Sequence, residues 1–158
     1  MKKIINPFNT RGINQCFGCS AVNAIGLKMN FFEDEGYTCC RWSPRHDLQG
    51  YVNVLHGGIQ ATLLDELASW TVYTQAGTGG VTSSMEIRYI KPVYVNKGDL
   101  LLKARLTGQK RNTASIRAEL FNKEGQLCTE ADIVYFIVPE SIARKRYFYP
   151  GVDAFFEK

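Results

Sequence analysis

One stretch of the chain, residues 59 to 75, constrains the fold more than any other. Its apolar residues recur at helical spacing and form a stripe wider than one face: Ile59, Leu63, Leu64, Leu67, Ala68, Trp70 and Val72. Because the stripe is wide, this helix must be covered on most of its sides. The glycines that follow at 77, 79 and 80 predict its end, since Gly is favoured just past a helix C-terminus.

The segments around this helix have the two-residue period of β-strands. Four of them follow the helix, at residues 81–90, 99–109, 113–122 and 126–138. The short turns at 96–98 and 122–125 favour antiparallel neighbours. A hairpin is predicted before the helix, where the acidic turn 33–36 separates two extended runs. An antiparallel sheet of about six strands that curls around one buried helix satisfies this pattern, and the fold class is α+β.

Length and composition predict a single globular domain over residues 1–158. The 158 residues are 45% hydrophobic and 22% charged, as in ordinary globular proteins. Residues 1–24 show no sustained period and predict an irregular segment. Residues 139–158 are rich in aromatic side chains, so we expect this tail to dock on the body.

The charge pattern bears on location and partners. The net charge is +4, with basic residues spread along the chain, which suits a phosphorylated small ligand and gives no nucleic-acid arm. No apolar run approaches the ~20 residues of a membrane span, and the N-terminus lacks the apolar stretch of a secretory signal. We therefore expect a cytoplasmic protein without membrane or nucleic-acid partners.

The cysteines give no sign of a disulfide framework or of a metal centre. Their number, five, is odd. Cys16 and Cys19 form one CxxC pair, which supplies two ligands where structural zinc needs about four. The remaining candidates do not form a second regular pair: Cys39, Cys40, Cys128 and His46. A redox CxxC usually opens a helix in a βαβ setting, which is absent here, so we expect no metal and no cofactor.

The segment LHGGIQATLLDE, residues 55 to 66, is the candidate site. His-Gly-Gly at the entry of a buried helix lets a ligand approach unpaired amides at the positive end of the helix. Asp65 lies two turns further, and helical spacing puts Gly58 and Thr62 on its face. The alternative is a tight strand-to-helix turn followed by an ordinary solvated carboxylate. Spacing alone does not decide between these interpretations.

HGGIQATLLDE, followed by a Gly-rich turn and GVTSSMEIRYIKPV, resembles the signature of hotdog-fold acyl-CoA thioesterases of the phenylacetate-pathway (PaaI-like) type. The resemblance runs from Gly26 to Val138 and includes the approach segment HDLQGYVNVLHGG. It implies a hotdog fold, in which the sheet wraps one long central helix, and hydrolysis of an acyl-CoA thioester to free acid and coenzyme A. It also implies a homodimer or homotetramer.

The resemblance assigns roles to five residues. Asp65 would act as general base or nucleophile, and the Gly57 or Gly58 amide would polarise the thioester carbonyl. His56 would help to position that carbonyl. Thr82, supplied by a partner subunit, would orient the water. The physics agrees, because helix N-terminal amides stabilise negative charge that develops nearby.

Substrate contacts are expected from five further residues: Asn53, Thr62, Ser83, Lys110 and Arg111. Asn53 stands where many family members carry Gly. Ser83 is a possible substitute for the Thr82 hydroxyl. Lys110 and Arg111 lie in a turn where they can meet the phosphates of coenzyme A, although turns are also where solvated basic residues ordinarily sit.

Two alternatives stay open. Glu66 is adjacent to Asp65, and since neighbouring helix positions point about 100° apart, only one of the two carboxylates faces the groove; the resemblance favours Asp65. The reaction itself has competitors: hydration or dehydration of an acyl thioester, which needs a histidine acid/base, or acyl-thioester binding without catalysis.

Overall fold

Seven strands form one antiparallel sheet in the computed structural model, which describes residues 1–157. They are β1 (Lys2–Ile4), β2 (Phe31–Asp34), β3 (Tyr37–Trp42), β4 (Gly80–Tyr89), β5 (Leu100–Gln109), β6 (Thr113–Phe121) and β7 (Leu127–Ile137). Their spatial order is β1-β2-β3-β5-β6-β7-β4. The hairpin and the four later strands are where the alternating pattern predicted them. The additional strand, β1, has only three residues, too few to show a period.

The sheet wraps the helix α1 (Gly57–Thr71), which contacts β3, β4, β5, β6 and β7. Side chains on several sides of α1 are fully buried, among them Leu63, Leu64 and Trp70. A π-helical turn (Val72–Ala76) extends the helix, and Gly77 ends it with a φ of +69°, a left-handed conformation that Gly adopts without a steric penalty. The predicted α+β architecture is confirmed.

The connection between β4 and β5 differs from the prediction. The turn at 96–98 favoured these strands as antiparallel neighbours, but β4 pairs with β7 and β5 pairs with β3. The reason lies in residues 90–95, which bind the approach to α1. Leu55 N donates to Val93 O at 2.8 Å, and Val95 N donates to Asn53 O at 2.8 Å. The chain is thereby carried across to the other side of the sheet, and β4 becomes an edge strand.

Both chain ends pack on the body. Ile4 pairs with Phe31 of β2 and with Phe156, and Ile5 N donates to Phe155 O at 2.8 Å. After the short helix α2 (Glu140–Arg146), Tyr149 and Phe155 are buried. No helix among residues 1–157 has the length and apolar character that a membrane crossing requires.

Candidate active site

The Asp65 carboxylate binds two hydroxyl groups from neighbouring strands. Thr82 Oγ1 donates to Asp65 Oδ1 at 2.7 Å, and the Tyr135 hydroxyl donates to the same oxygen at 2.9 Å. Thr82 on β4 and Tyr135 on β7 are direct cross-strand partners, so their side chains share the face of the sheet that covers α1. The sheet register therefore aims both donors at one carboxylate oxygen.

Tyr135 is a site residue that the sequence analysis missed. Its side chain is 3% exposed. Burial, followed by the negative charge of Asp65, raises the pKa of the Tyr135 hydroxyl well above its usual range, so the hydroxyl stays protonated and donates. Its hydroxyl also donates to the Asp65 carbonyl at 2.9 Å. The available signal was its alternation with Ile133 and Ile137, which puts all three on the helix-facing side.

Thr82 reaches Asp65 within one chain, whereas the sequence analysis expected a partner subunit to supply this hydroxyl. Thr82 lies near the start of the edge strand β4 and is exposed. The pairing of β4 with β7 shifts register between Thr82 and Ser84, which leaves Ser83 as the extra residue of a bulge. Ser83 is exposed beside the Asp65–Thr82 pair.

The entry of α1 is organised by His56. As the N-cap residue, His56 accepts a hydrogen bond at Nδ1 from the Gly58 amide, 2.9 Å away. The Gly57 carbonyl accepts from the Tyr89 hydroxyl at 2.7 Å, a contact the sequence analysis did not anticipate. For the Gly57 amide, residues 1–157 provide no acceptor. Of the two expected oxyanion donors, Gly57 is therefore the one available in this conformation.

Thr62 hydrogen-bonds back to its own helix, because its Oγ1 donates to Gly58 O at 2.9 Å. An open cavity of about 430 Å³ lies alongside, with His56, Gly58, Ile59 and Thr62 in its wall. The helix entry thus borders a concave space large enough for part of a ligand.

Asn53 has a structural reason to stand where relatives carry Gly. Its φ is +62°, in the left-handed region that Asn tolerates better than most residues with a Cβ. Asn53 N donates to Gln49 Oε1 at 2.9 Å, and Asn53 O accepts from Val95. Asn53 shapes the approach to α1 through its backbone.

Lys110 and Arg111 are exposed in the turn between β5 and β6. Across the sheet, Ala114 on β6 pairs with Tyr135, which pairs with Thr82. The β5–β6 turn therefore lies at the same end of the sheet as Thr82, about two strand spacings away, or roughly 10 Å at Ala114.

Glu66 points elsewhere. Its Oε1 accepts from Trp70 Nε1 at 3.0 Å, and both its carboxylate oxygens lie 3.4 Å from Cys16 Sγ. The carboxylates of Asp65 and Glu66 thus point into two different environments, as the helical geometry predicted.

Comparisons with known proteins find similarity to thioesterases. Residues 52–129 match the family model described as the thioesterase superfamily. Acyl-coenzyme A thioesterase 13 from Homo sapiens is 28% identical over 89 residues, which cover 56% of this chain and 63% of that protein. The chain therefore spans less than two thirds of that relative's length.

Solved structures of similar proteins have the same fold. The PaaI protein of the E. coli phenylacetic acid degradation operon superposes with a TM-score of 0.64 at 18% identity, over 72% of this chain and 82% of PaaI. A Streptococcus mutans protein bound to acetyl-CoA gives a TM-score of 0.65 at 21% identity, over 71% and 90% of the two chains. The hotdog fold is confirmed, and residues 52–129 of the chain match the thioesterase superfamily.

Proposed function

We propose that this protein hydrolyses acyl-CoA thioesters and that Asp65 is its general base. The observation that carries the proposal is the Asp65 carboxylate, which Thr82 and Tyr135 fix on the helix that the His-Gly-Gly turn opens. The human relative is named an acyl-coenzyme A thioesterase, and the S. mutans structure is described as bound to acetyl-CoA. Both names support the same substrate class for this chain.

The hydrogen bonds to Asp65 indicate different roles for its two carboxylate oxygens. Both hydroxyls donate to Oδ1, and we assign Oδ2 to the water. Oδ2 takes a proton as the water oxygen attacks the thioester carbonyl carbon. The tetrahedral intermediate then expels the coenzyme A sulfur, which takes the proton from Oδ2 and leaves as the thiol, so that Asp65 is a carboxylate again. The carboxylic acid is the second product.

A Gly57 amide stabilises the oxyanion in this scheme, because it lies at the positive end of α1 and has no acceptor within residues 1–157. Since Gly57 and Asp65 of one chain lie about 12 Å apart along α1, this amide would come from a second copy of the chain. His56 holds the Gly58 amide and so fixes the helix entry. Lys110 and Arg111, at the Thr82 end of the sheet, are positioned to attract the coenzyme A phosphates. Asn53 shapes the segment before α1 through its backbone. Ser83 lies next to Thr82 in the β4 bulge, and Thr62 lines the cavity at the helix entry.

The test is a panel of acyl-CoA substrates, assayed by release of free thiol. We expect turnover of at least one acyl class. Tight binding of coenzyme A thioesters without thiol release would favour a binding module. Water addition to an enoyl thioester, without thiol release, would favour the hydratase alternative, in which His56 would have to serve as acid and base.

Tyr135→Phe is expected to lower kcat about tenfold, the usual effect of losing one hydrogen bond worth about 1.4 kcal/mol. The substitution removes a donor to Asp65 and keeps the buried ring, so KM should change little. Tyr149→Phe is the matched control, because Tyr149 is equally buried but its hydroxyl donates to Tyr73 O, away from Asp65. Equal kcat values for the wild type and Tyr135→Phe would show that Tyr135 does not position the carboxylate.

We also propose that the protein is a homodimer or a higher homo-oligomer. The edge strand β4 and its neighbour β7 expose apolar side chains: Val81 is 50% exposed, Tyr89 52% and Phe136 45%. A long edge with apolar side chains is a surface that a second copy would cover. Light scattering should give at least twice the 17.8 kDa chain mass, and Val81→Lys should shift the protein toward monomer. A wild-type mass of one chain at micromolar concentration would contradict the proposal.

A further inference from the structure

A second cluster of ionisable side chains lies beside α1, on the side to which Glu66 points. The Sγ atoms of Cys16 and Cys19 and a carboxylate oxygen of Glu66 lie within 4.8 Å of one another. Cys16 Sγ is 3.4 Å from each oxygen of Glu66. None of these groups has a part in the proposed hydrolysis. The sequence analysis expected no metal because one CxxC supplies only two ligands, and the fold adds a third from a residue fifty positions beyond Cys16.

The charge of Glu66 is not balanced by a basic side chain. Its hydrogen-bond donors are Trp70 and Cys16, and no Lys, Arg or His nitrogen in residues 1–157 lies within 4.0 Å of its carboxylate. Arg11 lines the cavity beside the three residues of this cluster, but its guanidinium lies over the Phe148 ring, 5.7 Å from the ring centroid. A partly buried carboxylate without a cation is costly, so this environment favours a bound positive charge.

The loop that carries the cysteines is built closely around the carboxylate. A Cβ at Gly18 would lie 2.5 Å from Glu66 Cδ, so only glycine allows this approach. Backbone hydrogen bonds fix the loop on the chain that leads to β2: Leu27 N donates to Phe17 O at 2.7 Å, and Met29 N donates to Gly18 O at 2.9 Å. The potential ligands are therefore held in place by the fold, as a binding site requires.

We propose that Cys16, Cys19 and Glu66 bind a divalent cation of the zinc class. Tetrahedral zinc with bonds of about 2.3 Å to sulfur and 2.0–2.2 Å to oxygen holds its ligand atoms roughly 3.5–3.8 Å apart. The distances of 3.4 Å between Cys16 and Glu66 already match this spacing. Cys19 Sγ lies within 4.8 Å of the other two ligand atoms, so a shift on the order of 1 Å would complete the set.

Binding converts both thiols to thiolates and releases two protons to solvent, and no electron is transferred. Two thiolates and one carboxylate then carry three negative charges against the two positive charges of the cation, so the net charge of the cluster is the same as before binding, but each anionic ligand is in direct contact with the cation. The fourth position faces a cavity of about 300 Å³ with Asn14, Ser69 and Tyr73 among its lining residues, from which water can complete the coordination. A Cys16–Cys19 disulfide is the competing use of the pair, but it would leave the Glu66 carboxylate without a cation in contact.

The test is direct metal binding by the full-length reduced protein after chelator treatment, titrated with Zn²⁺ alone. We expect one equivalent per chain and a higher thermal midpoint in the presence of Zn²⁺. Co²⁺ in its place should give thiolate-to-cobalt charge-transfer absorption. Glu66→Gln and Cys16→Ser should each weaken zinc affinity by at least about tenfold, whereas Cys39→Ser, which removes a thiol outside the cluster, should leave it unchanged.

Glu66→Gln is the decisive variant, because it keeps the size of the side chain and an oxygen that accepts from Trp70, so the fold should survive. Zinc affinity equal to wild type in this variant would remove Glu66 from the site. Absence of stoichiometric binding by the reduced wild type would overturn the proposal. If peptide mapping of the protein as purified, before reduction, then showed a Cys16–Cys19 disulfide, the pair would be a redox element. Neither result bears on hydrolysis, because metal binding is read without any activity measurement.

Discussion

Asp65→Asn is expected to lower kcat by about 10²-fold or more, the usual cost of removing a general base. Asn has nearly the same size and its amide oxygen can still accept from Thr82 and Tyr135, the two donors to Oδ1. The variant cannot, however, take a proton from water. The loss should therefore appear in kcat with KM little changed, measured by thiol release with the best acyl-CoA of the substrate panel.

The matched control is Asp132→Asn, the same substitution on β7 at an exposed position where the carboxylate pairs with Arg88 and Arg117. It should retain nearly wild-type turnover. Circular dichroism and light scattering on both variants separate a catalytic defect from a folding or assembly defect. Full activity of Asp65→Asn would eliminate Asp65 as the base. If Glu66→Gln were the inactive variant instead, the roles of the two adjacent carboxylates would be reversed.

Local periodicity was enough to predict the central helix and the four strands that follow it. The wide stripe from Ile59 to Val72 required a helix covered on most sides, and the sheet does cover it. The two-residue alternation located β4 to β7 within one or two residues at each end. These features depend on side chains that are near one another in sequence, so a pattern of a few residues contains the information.

The pairing of the strands, unlike their positions in the sequence, could not be predicted from local periodicity. The turn at 96–98 suggested a hairpin, but residues 90–95 bind the segment before α1 through Val93 and Val95. Nothing in the spacing of either segment shows that they meet, because the contact joins residues about forty positions apart. The same limit explains β1, whose three residues are a strand only because Phe31 and its neighbours pair with them.

The candidate site divides in the same way. The resemblance carried by the helix motif and by the hydroxyl after Gly80 and Val81 selected Asp65 and Thr82, and the structure brings their side chains into contact. Tyr135 was missed because its role depends on the β4–β7 register. The grouping of Cys16 and Cys19 with Glu66 was missed because it requires the N-terminal loop to fold back on α1. In both clusters the sequence motif indicates some of the residues, and the others are brought to them only by the tertiary structure.

The second large predicted effect concerns stability and comes from a substitution in the aromatic C-terminal tail. Phe155 is fully buried and stacks on Tyr73 at a centroid distance of 5.4 Å, with Tyr149 and Trp70 at 5.9 and 5.5 Å. Phe155→Ala is expected to lower the free energy of unfolding by about 3–5 kcal/mol, because it removes buried apolar surface and leaves a cavity. That is a large part of the ~5–15 kcal/mol that keeps a typical domain folded.

Urea unfolding measures this loss as a lower midpoint with an unchanged slope. Phe148→Ala is the control within the same tail: its ring is 48% exposed, so its loss should change the free energy of unfolding by no more than about 0.5 kcal/mol. If the two variants were equally stable, the tail would not be part of the cooperative core, and its contacts with Ile5 and Tyr73 would contribute little to folding. A loss confined to Phe155→Ala would instead show that the C-terminal segment completes the core on the Trp70 side of α1.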